Sequence, residues 1–190
     1  MPDLTGHGND LTLKGGAVAA FGELSLDGNS QYGEFPSNFL VGVNAYSVAC
    51  WVKFVGVGSW MRIWDFGTGT DSYLLLSATE GTDGIPAYYA RLNGGDHQTV
   101  KTTQALPLNK WVHMTVTYDG TRVSIYRNGA LDVTLQSTIK PADLGPTARY
   151  WIGRSQYDHD AFFTGSYRDF RVFSRALSPE EVQKLTQGLN

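Results

Sequence analysis

What most narrows the folds open to this chain is a series of short alternating segments joined by tight-turn dipeptides. Trp111-Val112-His113-Met114-Thr115-Val116-Thr117-Tyr118 sets Val112, Met114, Val116 and Tyr118 on one face and Trp111, His113, Thr115 and Thr117 on the other, the pattern of a half-buried strand. Asp119-Gly120 then leads into Arg122-Val123-Ser124-Ile125-Tyr126, and Asn128-Gly129 leads into Ala130-Leu131-Asp132-Val133-Thr134-Leu135. Both dipeptides are short-range hairpin signals, so three antiparallel strands follow in a meander. Similar runs occur at residues 24–26, 31–35, 46–54, 61–66, 73–78, 86–92, 98–103, 150–154 and 163–173, separated by Gly, Asp, Asn and Thr clusters. About a dozen strands exceed what one open sheet holds, which predicts an all-β antiparallel sandwich of two packed sheets. A single short helix is expected at the C-terminal end. There Ser178-Pro179-Glu180-Glu181 offers an N-cap serine, a proline at the first helical position and a capping-box glutamate, followed by apolar Val182 and Leu185.

Composition agrees. The 190 residues contain 22 Gly, 5 Trp, 10 Tyr and 9 Phe, the turn-rich and aromatic-rich mix that many short strands need. No linker divides the chain, so residues 1–190 read as a single domain. With 42% hydrophobic and 17% charged residues it can bury a sizeable core. A net charge of -3 lacks the Lys and Arg excess that a phosphate backbone or an anionic membrane would demand, so neither nucleic acid nor membrane is an expected partner. The lone cysteine, Cys50, excludes an internal disulfide and sits in the apolar run Val48-Ala49-Cys50-Trp51-Val52, where a buried hydrophobe is expected rather than a nucleophile.

Gly6-His7-Gly8-Asn9-Asp10-Leu11-Thr12-Leu13, Leu24-Ser25-Leu26-Asp27-Gly28 and Tyr46-Ser47-Val48-Ala49-Cys50-Trp51-Val52-Lys53 are followed by Trp111 to Gly120, Tyr126-Arg127-Asn128-Gly129 and Asp169 to Glu181. In that order they resemble laminin-G-like domains of the concanavalin A-like jelly-roll type, in the bacterial branch attached to glycoside hydrolases. Arg62-Ile63-Trp64-Asp65-Phe66-Gly67 and Trp151-Ile152-Gly153-Arg154-Ser155-Gln156-Tyr157 are similar to the subset found beside arabinofuranosidases. The resemblance implies a non-catalytic carbohydrate-binding module that targets a covalently linked hydrolase to plant or microbial polysaccharide, arabinose-containing glycans foremost. It further implies an extracellular or periplasmic setting and a monomer, and the Met1-Pro2 start fits a module excised from a larger enzyme. Protein-recognition or adhesion modules, and glycan-active enzymes, use the same fold and stay as alternatives. In the resembling family a calcium ion often sits at the sandwich edge. The matching residues are Asp27 and Asp169, with Asn29 in the Asp27-Gly28-Asn29 turn, and the ion would be structural. The same residues also read as a hairpin turn and a salt-bridged strand end.

The enzyme alternative meets a shortage of suitable carboxylates. A glycosidase needs two across the scissile bond. The five glutamates are Glu23, Glu34, Glu80, Glu180 and Glu181, the last two belong to the helix start, and no strand carries alternating acids. His7 and His97 read as turn residues, and Asp158-His159-Asp160 as a solvated loop. Sugar binding asks instead for aromatic faces beside fixed polar groups. Tyr89 and Arg91 share one face of a strand, Arg154 and Gln156 alternate together on another, and Arg62 lies on a third with Trp64 two residues on. An arginine within an apolar strand must reach water, an acid or a ligand, because an unpaired buried charge is costly. Arg62, Tyr89, Arg91, Arg154 and Gln156, with Tyr157 at the rim, are therefore the expected carbohydrate-binding set. Trp60 and Tyr88 are further candidate platforms, with core packing the default for any single aromatic, and structural pairing of the arginines with Asp65, Asp158 or Asp160 is the alternative.

Overall fold

Apolar alternation becomes strand wherever the expected runs occur. A computed structural model describes residues 1–56 and 58–187. Its strands are β1 (Thr12–Lys14), β2 (Val18–Ala20), β3 (Glu23–Asp27), β4 (Tyr32–Phe35), β5 (Tyr46–Phe54), β6 (Arg62–Gly69) and β7 (Ser72–Ser77). They continue with β8 (Ala87–Arg91), β9 (Gln98–Lys101), β10 (Trp111–Tyr118), β11 (Arg122–Arg127), β12 (Ala130–Gln136), β13 (Arg149–Ile152) and β14 (Thr164–Phe173). The helix α1 (Pro179–Leu185) closes the chain, capped by Ser178 and Glu181 in the reciprocal pattern the sequence predicts. Only β1 and β2 go beyond the expected runs; each has three residues, none of them buried, which is too short for an alternation to register.

Two antiparallel sheets of seven strands result. The first runs β1-β4-β13-β6-β7-β8-β9 and the second β12-β11-β10-β5-β14-β3-β2. The β10-β11-β12 meander is as expected, and Asn128 and Gly129 adopt φ 50 and 83°, the backbone of a tight hairpin turn. Near-terminal β3 and β14 pair side by side. Between the sheets lie Ile63, Trp64, Phe66, Leu74, Leu76, Tyr88 and Tyr150 from the first and Val48, Cys50, Val52, Val112, Met114 and Val116 from the second. Burial pushes the Cys50 thiol well above its ordinary range, which leaves it inert.

One expectation changes. β10 is buried on both faces: His113 is 1% exposed and Thr115 fully covered. The C-terminal segment crosses the outer side of the second sheet, where Ser47 Oγ donates to the Arg175 carbonyl and accepts from the Leu177 amide. Val182 of α1 packs there on Tyr126 and Leu177. Burial lowers the His113 imidazole to about 4, so it is neutral at physiological pH.

β14 approaches β5 closely at Gly165, whose φ is 151° and whose missing Cβ would collide with the Lys53 carbonyl. Gly165→Ala should therefore lower stability by about 3 kcal/mol. Urea denaturation measures this; a loss of only a few tenths would show that the strand can move aside.

Candidate functional site

A bulge in β6 between Arg62 and Trp64 decides what the outer face of the first sheet presents. Ile63 and Trp64 both turn into the core, while Arg62 and Asp65 stay outside and pair with each other. Strict alternation would have put Trp64 beside Arg62. Across this outer face, Glu34, Trp151, Asp65, Leu75, Tyr89 and Thr99 stand in one cross-strand row. Arg149, Gly67, Tyr73 and Arg91 form the next.

The segment after β13 folds back over these rows. The Gln156 amide donates to Asp65 Oδ2 at 3.1 Å, and Tyr157 Oη donates to the Thr70 carbonyl at 3.0 Å. Asp160 Oδ2 accepts from Ser155 Oγ and from Arg62 Nη2, each at 2.6 Å. Arg62 also donates through Nε to Asp65 at 3.3 Å and through Nη1 to the Trp60 carbonyl at 2.7 Å. With 3% of its surface exposed, Arg62 has all three nitrogens engaged, so it takes the structural pairing with Asp65 and Asp160. It ties the loop to the sheet rather than offering a fork to a ligand. Burial pushes the Asp65 carboxyl up to about 6 even though Arg62 opposes the shift. Asp65 Oδ1 and Gln156 Oε1 are buried acceptors with no hydrogen-bond partner among the described residues, a demand for a donor at this place.

Beside this nest runs a strip of aromatic rings. Trp60 meets Tyr89 edge-on at 5.8 Å between centroids, and Tyr89 meets His97 at 5.8 Å. His97 lies 6.1 Å from Tyr73, which lies 5.9 Å from Tyr157. Tyr73 Oη is 2.9 Å from His97 Nε2 and 3.3 Å from Tyr157 Oη. Trp60, Tyr89 and Tyr157 are half-buried and His97 is exposed, so their rings reach solvent while fixed from below. Flat, partly open rings beside anchored polar atoms suit the mixed apolar and hydroxylated surface of a sugar.

The expected residues thus separate. Arg62, Tyr89, Gln156 and Tyr157 converge. Arg91 lies at the flank with its fork spent on the carbonyls of Gly95, Gly94 and Thr70, joining two turns. Arg154 lies over Trp151 and Tyr32, at 4.3 and 4.8 Å from the ring centroids, beyond the loop. Tyr88 is no platform: it is a core residue whose hydroxyl meets that of Tyr46 at 3.1 Å. Tyr73 and His97 are additions. Tyr73 alternates with Leu75 on β7 and was legible as a face residue, whereas His97 sits in a turn and is placed only by tertiary structure.

The calcium pair is not brought together. Asp27 stands opposite Thr164 on β14, five residues from Asp169, which is roughly 16 Å at strand spacing. Asp27 closes its own turn by accepting from the Asn29 amide at 2.9 Å, which holds its carboxyl below the usual range. Asp169, left-handed at φ 48°, accepts from Arg171 Nε at 2.6 Å. Both match the turn and salt-bridge reading, and these residues do not fit one shared ion. The glutamates are likewise dispersed: Glu23 pairs with Lys53 and Arg168, Glu34 with Lys14, and Glu80 with Lys101.

Two packed antiparallel sheets with a polar and aromatic outer face define a lectin-like jelly-roll sandwich. Residues 27–183 match the Laminin_G_3 family of the concanavalin A-like lectin/glucanases superfamily, and the chain belongs to it. An alpha-L-arabinofuranosidase of Bifidobacterium longum subsp. longum is 27% identical over 196 residues; the match takes in 93% of this chain and 18% of that enzyme. Domain 4 of AbnA, a GH43 extracellular arabinanase from Geobacillus stearothermophilus solved in complex with arabinotriose, is similar with a TM-score of 0.80 at 22% identity. That alignment covers 97% of this chain and 92% of the other. The binding domain of botulinum neurotoxin serotype D/C gives a TM-score of 0.73 at 15% identity, over 99% of this chain and 49% of that one. The two structural matches are likenesses of fold.

Two expectations follow from the site. Chelation should leave the melting temperature unchanged; a drop restored by calcium would reinstate a metal site at the turn. Because the folded protein holds the Asp65 proton more tightly than the unfolded chain, this group's stabilisation is complete below about pH 4 and fades as pH rises through about 6. Wild type should lose roughly 2 kcal/mol relative to Asp65→Asn between those values. Paired denaturation curves measure it, and a pH-independent difference would show that Asp65 is ionised throughout.

Proposed function

We propose that the chain is a non-catalytic carbohydrate-binding module that recognises arabinose-containing polysaccharide on the outer face of its first sheet. The observation that carries this reading is the strip of Trp60, Tyr89, His97 and Tyr157 beside the buried Arg62-Asp65-Asp160 nest. Trp60 and Tyr89 supply stacking surface for sugar C–H faces. The Tyr157 hydroxyl and the Gln156 side chain supply hydrogen bonds. The two orphaned acceptors of Asp65 and Gln156 lie beneath the loop and take their donors from water rather than from the sugar itself. Arabinose as the sugar is supported by the arabinotriose held by domain 4 of the arabinanase and by the arabinofuranosidase relative.

The carboxylates of the nest work as structural groups in this proposal, since Arg62 and Ser155 occupy them. A tethered hydrolase in an extracellular setting gains from such a module through effective concentration: linkage keeps its substrate near without any new catalytic contact. Affinity should be modest, in the range of roughly 10 μM to 1 mM, because an open polar face displaces ordered water and buries little apolar area. Calorimetry with arabinotriose should show such binding, and Trp60→Ala and Tyr89→Ala should each weaken it by about ten-fold with folding intact, the loss of one stacked ring. Binding that survives both substitutions would place the site elsewhere, and binding to a protein partner with none to glycans would favour an adhesion module.

A further inference from the structure

The chain has nine arginines, and seven of them are satisfied. Arg62, Arg122, Arg168, Arg171 and Arg175 meet carboxylates, while Arg91 and Arg127 donate to backbone carbonyls. The two left over are Arg149 and Arg154. Among the described residues neither guanidinium donates a hydrogen bond or lies within 4 Å of a carboxylate. Both lie over the same indole: the Arg149 guanidinium is 4.8 Å from the Trp151 ring centroid and that of Arg154 is 4.3 Å from it. Measured through that shared ring, the two guanidinium carbons are at most about 9 Å apart, a span that one carboxylate can serve from both ends. Glu34 feels the charge of Arg154 but is already committed, accepting from Trp151 Nε1 at 2.9 Å and pairing with Lys14 at 3.2 Å.

The surroundings hold both side chains in place beside a cleft. Trp151 is 4% exposed and locked by Glu34, and Arg154 is held between Trp151, Tyr32 and Phe162, so its fork is pre-oriented at little further entropic cost. Arg149 stands at the mouth of a cleft of about 300 Å³ lined by Thr12, Glu34, Phe35, Ser37 and Thr147, which is room for one sugar ring. Trp151 and Tyr89 lie on one cross-strand row, three strands or about 14 Å apart, so a single oligosaccharide can reach from the aromatic strip to this edge.

We infer that the Trp151 edge of the first sheet is an acidic-sugar subsite, in which Arg149 and Arg154 hold the carboxylate of a uronate residue. The inference rests on the reading of this face as glycan-binding and extends its substrate class from neutral sugars to chains that also bear uronic acids. Guanidinium groups match carboxylates through paired N–H donors, and a neutral sugar gives no such return.

The test uses digalacturonate and its methyl ester, which differ only in charge, with arabinotriose as the neutral ligand in parallel titrations. Digalacturonate should bind about ten-fold more tightly than the ester, and the advantage should shrink as salt rises from about 50 to about 500 mM. Arg149→Gln, at an exposed position that should not disturb folding, should abolish the advantage while arabinotriose affinity stays as in wild type. Arg154→Gln should also reduce digalacturonate binding. Equal binding of acid and ester, or acid binding that survives both substitutions, would overturn the subsite. Arabinotriose binding without uronate binding would overturn this inference alone, whereas failure of every glycan would overturn the reading of the face as well.

Discussion

A guanidinium with 3% of its surface exposed cannot be left unpaired, and the way Arg62 is paired organises the outer face of the first sheet. Asp65 on its own strand satisfies one nitrogen, and Asp160, nearly a hundred residues later, satisfies another. That second contact fixes the loop after β13. Through it the sheet acquires Gln156 and Tyr157 as partners for Asp65, Tyr73 and Thr70. Without the β6 bulge Arg62 and Asp65 would face opposite sides, so a one-residue irregularity in a strand underlies the whole arrangement.

The two sheets divide the work. Much of the outer side of the second sheet is covered by the C-terminal segment and α1, and its histidine is buried and neutral. The first sheet instead keeps half-open aromatic rings above a polar nest, with uncommitted arginines at its edge. Buried carboxylate and amide oxygens without partners stay stable there only because Arg62 offsets the nearby negative charge. Such a face is costly to fold, and on the proposed reading that cost is exchanged for recognition of a sugar.

Much of the fold was legible because it rests on local signals. Alternation marked β5 and β10 to the residue, turn dipeptides marked the meander, and Ser178 with Glu181 marked the helix start. The site was legible in part. Tyr89 and Arg91 share a face by simple alternation, and Arg62 announced a buried charge in need of a partner. What alternation cannot show is a bulge, so Trp64 was set on the wrong face of β6. Nor does it show what a loop closes over: His97 joins the aromatic strip from a segment that read as a plain turn, and Asp160, one of three acids weighed as arginine partners, is singled out only by the fold. The pairing of Asp27 with Asp169 was out of reach for a related reason, since motif matching located the two residues but not the strand register that keeps them apart.

The central claim is that the first sheet, and not the second, meets the ligand, and the tryptophan indoles report on both at once. Trp60 stands on the aromatic strip, while Trp51 and Trp111 lie on the second sheet beside His113 and Arg168. In a titration of uniformly ¹⁵N-labelled protein with arabinotriose, the Trp60 indole N–H signal should shift progressively while those of Trp51 and Trp111 stay in place. Shifts confined to Trp51 and Trp111 would contradict the account and move the binding face to the opposite sheet.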